Sequence, residues 1–325
     1  MRVAITGGAG FIGANLARLL ATDEQVSRVT VVDDLSTGRR ENLAGVDVDL
    51  HVGTILDAEV LDRAFADVDA IVHLAARPSV SRSLEDPVAS HHANATGTIE
   101  VLEAARRVGR PHVIVASSSS VYGANPTLPK SEDLRTQPLS PYAVSKLATE
   151  SYALAYAHCF DLPVLAFRFF NVYGPLQPAG HAYAAVVPAF LDAALRGQPL
   201  LIDGDGGQTR DFTYVGSVAV AIREAMVRGL TSGDPVNLAF GTRRTVLDLV
   251  AELEALVGHD LAREHREPRQ GDVRHSQADN ARLAALLPDV VPIELRHGLE
   301  STLAWFRTSP VYVDAVAGSA RAAGS

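Results

Sequence analysis

The chain has 325 residues, 47% of them hydrophobic, enough to bury one large core or one main domain with a lobe. Its formal net charge of −9 excludes the basic footprint that a nucleic-acid partner requires. A single cysteine leaves no intrachain disulfide framework, and no apolar run reaches membrane-spanning length.

The first strand, "RVAIT", starts almost at residue 1 with no signal peptide before it, so a cytoplasmic protein is expected. It runs into "TGGAGFIG" and a helix over residues 13–20. Gly7, Gly10 and Gly13 lie three apart, and Gly8, Gly10 and Gly13 also satisfy the dinucleotide fingerprint. Glycines there permit a tight turn and let backbone N–H groups approach a pyrophosphate at the helix N-terminus. The next strand, "RVTVVD", delivers Asp33 twenty residues beyond Gly13. A carboxylate in that place accepts hydrogen bonds from ribose hydroxyls and repels a 2′-phosphate, which predicts NAD; Arg39 and Arg40 keep NADP as the alternative. "AIVHLAA" and "HVIVASSSS" read as further buried parallel strands, apolar and β-branched without polar alternation, with helical periodicity over 95–108 between them. This order predicts an α/β protein built on a Rossmann-type doubly wound parallel sheet.

The serine run 117–120 ends the last of these strands, where ligands of such sheets bind. In "SPYAVSKLATE", Ser140 reads as an N-cap and Pro141 as the first helical residue. Tyr142 and Lys146 then share one helix face at i and i+4. Phenol, ammonium and a hydroxyl from Ser118 can converge on one carbon of a substrate beside a nicotinamide. A phenolate base near neutrality needs roughly 2–3 units of pKa depression, about 3–4 kcal/mol, and the Lys146 ammonium and the positive nicotinamide would both act in that direction.

Beyond about residue 175 the strand–helix rhythm weakens. Loops rich in Gly and Pro interleave with helices over 187–195, 215–227 and 245–257. The expected organisation is a dinucleotide domain over 1–175, with some later segments returning to it. A smaller mixed α/β substrate lobe follows over 176–309, and 310–325 form a loose tail. His91 and His92 lack a second cluster at metal spacing, so no metal site is assigned. Cys159 is expected to pack as a small hydrophobe, and His73 to be structural.

"TGGAGFIG", "DDLSTG", "HLAA", "SSSSVYG", "SPYAVSK", "RFFNVYGP" and "TRDFTYV" together resemble the extended short-chain dehydrogenase/reductase family, nearest to its UDP-sugar 4-epimerases. The likeness runs from residue 1 to about 306. It implies that Tyr142 is the base, Lys146 its pKa-lowering partner and Ser118 the active-site hydroxyl. On the cofactor side it implies Phe11 and Ile12 at the pyrophosphate, and Asp33, Asp34, Ser36, Thr37 and Gly38 at the adenosine end. Thr54 and Ile55 would lie at the adenine, Leu74, Ala75 and Ala76 would line the cofactor, Asn94 would brace it, and Phe170 would lie by the nicotinamide. On the substrate side it implies Ser119, Asn171, Val186, Ser276 and the diphosphate-clamping Arg210 and Arg269. Thr54 departs from the pattern, standing where these proteins usually carry an aspartate.

The resemblance implies epimerisation at C4 of a UDP-hexose through a 4-keto sugar, with NAD held throughout. The partners it implies are a UDP-sugar and a second copy, joined in a four-helix bundle by the helices near 95–108 and 142–158. The faces expected to be left uncovered carry Ile99, Leu102 and Ala105, and Leu147, Tyr152 and Ala155. Dehydratases and decarboxylases of this family place an acid after the active-site hydroxyl, where Ser119 and Ser120 stand. Other enzymes of the family, acting by dehydration, decarboxylation or epimerisation at another carbon, remain alternatives. A non-catalytic NAD-binding regulator is a further one.

Overall fold

The computed structural model describes residues 1–179, 184–267 and 273–309. Six strands carry the first half of the chain: β1 (Arg2–Thr6), β2 (Arg28–Asp33), β3 (Asp49–Val52), β4 (Ala70–His73), β5 (His112–Ser118) and β6 (Val164–Phe169). With Val236–Leu238 at the far edge they form one seven-stranded sheet in the order 3-2-1-4-5-6 and then the late strand, every pair parallel. This is the doubly wound α/β fold.

Alternation along each strand separates two cores. Val3, Ile5, Val29, Val31, Val72, Ile114 and Phe167 face α1 (Phe11–Leu20) and a late helix, Val215–Val227. Ala4, Val32, Ile71, Val113, Val115 and Val164 face α2 (Ala58–Ala64), α5 (Gly97–Arg107) and α6 (Pro141–Phe160). The returning helix and the strand Val236–Leu238 thus complete the sheet and one of its layers. A third core gathers Phe190, Leu191, Leu200, Phe212, Leu249, Leu253, Leu299 and Phe306 from the C-terminal half.

The strand order reverses between β1 and β4, which opens a crevice at the carboxyl ends of the strands. Before α5 the chain passes through α3 (Val80–Glu85), α4 (Pro87–His91) and a π-helical stretch, His92–Thr96. One extra residue per turn there brings Asn94 inward, as π-turns do near functional sites.

The outer faces of α5 and α6 correct two expectations. Leu102 and Ala105 are fully buried by their own chain, and Leu147 packs partly buried against Val121 and Tyr122. Cys159 is exposed, in line with Tyr152 and Ala155. α6 turns Ser145, Lys146, Thr149 and Glu150 inward and Val144 and Tyr152 outward, so its apolar residues do not mark its buried side. Leu84, Val88, Val144 and Tyr152 are 62%, 63%, 52% and 41% exposed on α3, α4 and α6. No helix among the described residues is long and apolar enough to cross a membrane.

Candidate active site

The crevice widens into a cleft of about 1250 Å³, roomier than a pocket for one small ligand. The glycine turn forms one end. Gly7 leaves β1 at φ +72°, and a Cβ there would meet Ala75 N at 2.7 Å; a Cβ on Gly13 would collide with the Gly7 carbonyl. Gly10 begins α1 with no side chain to cap it, and Gly10, Phe11, Ile12 and Gly13 line the cleft.

Asp33 closes β2, and its carboxylate accepts hydrogen bonds at 2.9 Å from Ala9 N and from Leu35 N. Burial raises its pKa above the usual range, opposed by those bonds. Gly38 packs against this carboxylate, where a Cβ would come within 2.7 Å of Oδ1. Asp34, Ser36 and Thr37 line the same end, with Asp34 accepting from both the backbone and the hydroxyl of Ser36. Thr54 and Ile55 face them, and Thr54 Oγ1 accepts from Leu56 N at 3.2 Å. Leu74, Ala75 and Ala76 continue the wall beyond β4, and Leu74 N donates to Thr6 O. A turn that admits only glycine, an uncapped helix start and a carboxylate on the neighbouring strand fit a dinucleotide.

Besides Gly38, which packs behind Asp33, two further residues expected at the cofactor stand off the wall. Asn94 is 1% exposed; its Oδ1 accepts from Arg77 N at 2.7 Å and its Nδ2 donates to Ser145 Oγ at 2.9 Å. It ties the loop after Ala76 to α6 from behind. Phe170 is fully buried with Val121, Tyr122 and Ala239, and Phe169 lines the cleft in its place. β6 ends at Phe169 and successive side chains point to opposite sides, so a shift of one residue exchanges wall for core.

The chemistry-bearing groups lie at the other end. Ser140 Oγ accepts from Ala143 N at 3.2 Å and Pro141 occupies the first turn, so α6 starts where Tyr142 can reach the end of β5. Lys146 Nζ donates to Ala116 O at 2.8 Å, fastening the helix to that strand. Ser118, Ser119, Tyr142 and Lys146 all line the cleft. Ser120 donates through both its backbone N–H and its hydroxyl to Ser118 Oγ, at 3.2 and 2.9 Å.

Burial pulls Lys146 down to about 8. It pushes the Tyr142 phenol above its ordinary value, opposed only by a hydrogen bond with Ser118. Of the two charges read from the sequence as lowering it, the nicotinamide lies outside the chain. Beneath them Arg168 Nε and Nη2 clamp Glu150 at 2.9 and 2.7 Å, and Ser117 Oγ donates to Glu150 at 2.8 Å.

On the far wall Asn171, Arg210 and Ser276 line the cleft. Arg210 Nη1 donates to Thr209 O and Arg274 O, and Ser276 N donates to Thr209 O at 3.0 Å. Val186 opens the helix Val186–Leu195 and packs against the third core, away from the wall. Arg269 lies outside the described residues. Arg77, His92, Lys130, Gln177 and His275 also line the cleft. None was singled out for it, because each reaches the wall through non-local folding and not through a spacing visible in the chain.

The chain is 37% identical to a UDP-glucose 4-epimerase of Mycolicibacterium smegmatis, over 94% of this chain and 99% of that protein. It superposes with a TM-score of 0.89 on a UDP-N-acetylglucosamine 4-epimerase from Methanobrevibacter ruminantium, at 33% identity, covering 94% of this chain and 98% of that one. A UDP-glucuronic acid 4-epimerase from Bacillus cereus, solved with UDP-glucuronic acid and NAD, gives a TM-score of 0.87 at 29% identity, covering 94% and 99%. Residues 3–239 match the NAD dependent epimerase/dehydratase family, and with that cleft and these relatives the chain belongs to this family of NAD-dependent enzymes.

Proposed function

We propose that the protein is a UDP-hexose 4-epimerase, interconverting UDP-glucose with UDP-galactose and UDP-N-acetylglucosamine with UDP-N-acetylgalactosamine through a 4-keto sugar. The observation that carries this reading is the placement of Ser118, Tyr142 and Lys146 on one wall, with serine and not an acid at positions 119 and 120. Tyr142 exchanges the proton of the 4-hydroxyl, and Ser118 orients that oxygen. Elimination or decarboxylation would call for an acid beside Ser118. Bound NAD supplies the reversible oxidation at the sugar carbon. Asn171 and Arg210 hold the diphosphate, and Arg269 is assigned to the same clamp. The small Ser276 side chain leaves room for a 2-acetamido group.

Purified protein incubated with each UDP-sugar and followed by NMR tests the reading. The expected result is the C4 epimer without added cofactor. Consumption of external NAD at each turnover, or a dehydrated or decarboxylated product, overturns it.

A further inference from the structure

The wall that carries Arg210 and Ser276 is assembled from segments far apart in the chain. Thr209 and Asp211 are buried, at 5% and 0% exposure, and Arg210 between them turns the other way, into the cleft. Beside them runs the segment 273–279, of which Val273, His275 and Ser276 line the cleft. The two stretches begin as a parallel pair: Thr209 N donates to Arg274 O and Ser276 N to Thr209 O, each at 3.0 Å.

The next rung of a regular parallel ladder would run from Ala278 N to the carbonyl of residue 211. Here the side chain takes that place, and Ala278 N donates to Asp211 Oδ2 at 3.1 Å. Thr242 Oγ1 donates to Oδ1 at 2.9 Å, and the backbone N–H groups of Gly241 and Thr242 bond to the same carboxylate. The number of donors dictates the residue type. An ionised carboxylate accepts at both oxygens, whereas an amide would set its own NH₂ against one of these groups.

The arrangement works against stability. Burial raises the Asp211 pKa from 3.8 to about 6, opposed by those hydrogen bonds. A carboxyl raised in this way costs stability once pH passes 3.8, and in full above about 6. Buried Glu150 has Arg168 to offset that cost, and no lysine or arginine pairs with Asp211 among the described residues.

What the charge contributes lies in what it holds. Ala278 is two residues past Ser276, and Gln277 Nε2 donates to Gly241 O at 3.2 Å, so that end of the segment is fastened to Asp211 and to the loop it grips. The other end presents Arg274 O, which with Thr209 O accepts from Arg210 Nη1, at 3.1 and 2.9 Å. Arg210 and Ser276 therefore take their places from one framework, and Asp211 closes it without lining the cleft itself.

We propose that Asp211 is a positioning residue for the substrate: its carboxylate stands in for a ladder carbonyl and fixes Arg210 and Ser276 relative to one another, so that affinity for the nucleotide-sugar depends on a side chain that does not touch it. This rests on the nucleotide-sugar reading above and deepens it.

Calorimetric titration of the NAD-loaded protein with UDP-glucose, together with steady-state kinetics, tests the assignment in Asp211→Asn and in Thr242→Val, which removes one donor from the same carboxylate. The expected result for Asp211→Asn is at least about tenfold weaker binding, with kcat within about threefold of wild type and NAD retained. Thr242→Val should weaken binding by about threefold, and the double variant should lose no more than Asp211→Asn alone, because both act through one carboxylate. Unchanged UDP-glucose affinity in folded Asp211→Asn overturns the proposal. So does a parallel loss of NAD, kcat and UDP-glucose affinity, the mark of a purely structural role. If Asp211→Asn does not fold, unchanged affinity in Thr242→Val is enough to overturn it. Unchanged affinity in the variants leaves epimerisation of UDP-glucose standing, while a wild-type protein that binds no UDP-sugar overturns both readings.

Discussion

Acidification reports on one buried side chain. His73 closes β4 at 2% exposure, its Nδ1 2.7 Å from Thr6 Oγ1 and its Nε2 3.0 Å from Thr98 Oγ1. Burial, reinforced by the Lys146 charge, lowers its pKa from 6.5 to about 3. Because the folded-state value is depressed, the native protein declines a proton that the unfolded chain accepts below 6.5. Stability from this group is complete above that pH and is lost as pH falls toward 3. Between pH 6 and pH 5 the loss is about 1 kcal/mol, and further down it approaches about 1.4 kcal/mol per unit. His112, also buried with a lowered pKa, acts in the same direction. The reading is therefore the difference in slope between wild type and His73→Gln, in urea unfolding at pH 7, 6 and 5 with NAD held constant. The variant should lose about 1 kcal/mol less than wild type between pH 6 and 5, whatever its absolute stability. An identical slope in a folded variant would refute the neutral, buried imidazole.

Tyr142→Phe should reduce epimerisation at least about a hundredfold, the usual minimum for a positioned proton acceptor, while the bound NAD absorbance is retained. Lys146 is charged below about 8 and neutral above it, so NAD affinity of the stripped protein should weaken between pH 7 and 9; in Lys146→Ala it should be weaker throughout and lack that step. Ser276→Tyr should slow UDP-N-acetylglucosamine epimerisation at least about tenfold, roughly 1.4 kcal/mol in barrier, and spare UDP-glucose; equal loss on both would show that Ser276 is no gate. Light scattering at micromolar concentration should give a homodimer, burying the exposed Leu84, Val88, Val144 and Tyr152, and a monomer would contradict it.

What the sequence made legible was local. The glycine turn, Asp33 twenty residues on, and the i, i+4 pair on α6 follow from spacing within one turn or one βα unit, and the strands at "RVAIT" and "RVTVVD" end where expected. The Glu150–Arg168 clamp under the site joins β6 to α6 across 18 positions, and no periodicity announces it. Lys130 reaches the wall because Gln277 and Asp279, nearly 150 residues later, hold its backbone. Phe170 was placed by motif, but the parity of β6 decides which of two phenylalanines meets the cleft. On α6 the outward placing of Tyr152 and Ala155 held, while Leu147 and Cys159 were misread for a different reason: polar side chains, Ser145, Lys146, Thr149 and Glu150, occupy much of its inner face.

The same inner face bears on how the base is made. Glu150 and Arg168 form a buried ion pair beneath the site, at 5% and 4% side-chain exposure. Lys146 is the uncompensated charge one turn away, and burial has already drawn it down to about 8. Burial pushes the phenol above its ordinary value, opposed by a hydrogen bond with Ser118. The missing positive charge belongs to the dinucleotide, whose seat is built by Gly7, Gly13 and Asp33 at the far end of the same cleft. In the proposed reaction, position comes from the chain and charge from the ligand, so Tyr142 is expected to serve as a base only in the loaded protein. A protein stripped of NAD is expected to keep its tyrosine protonated.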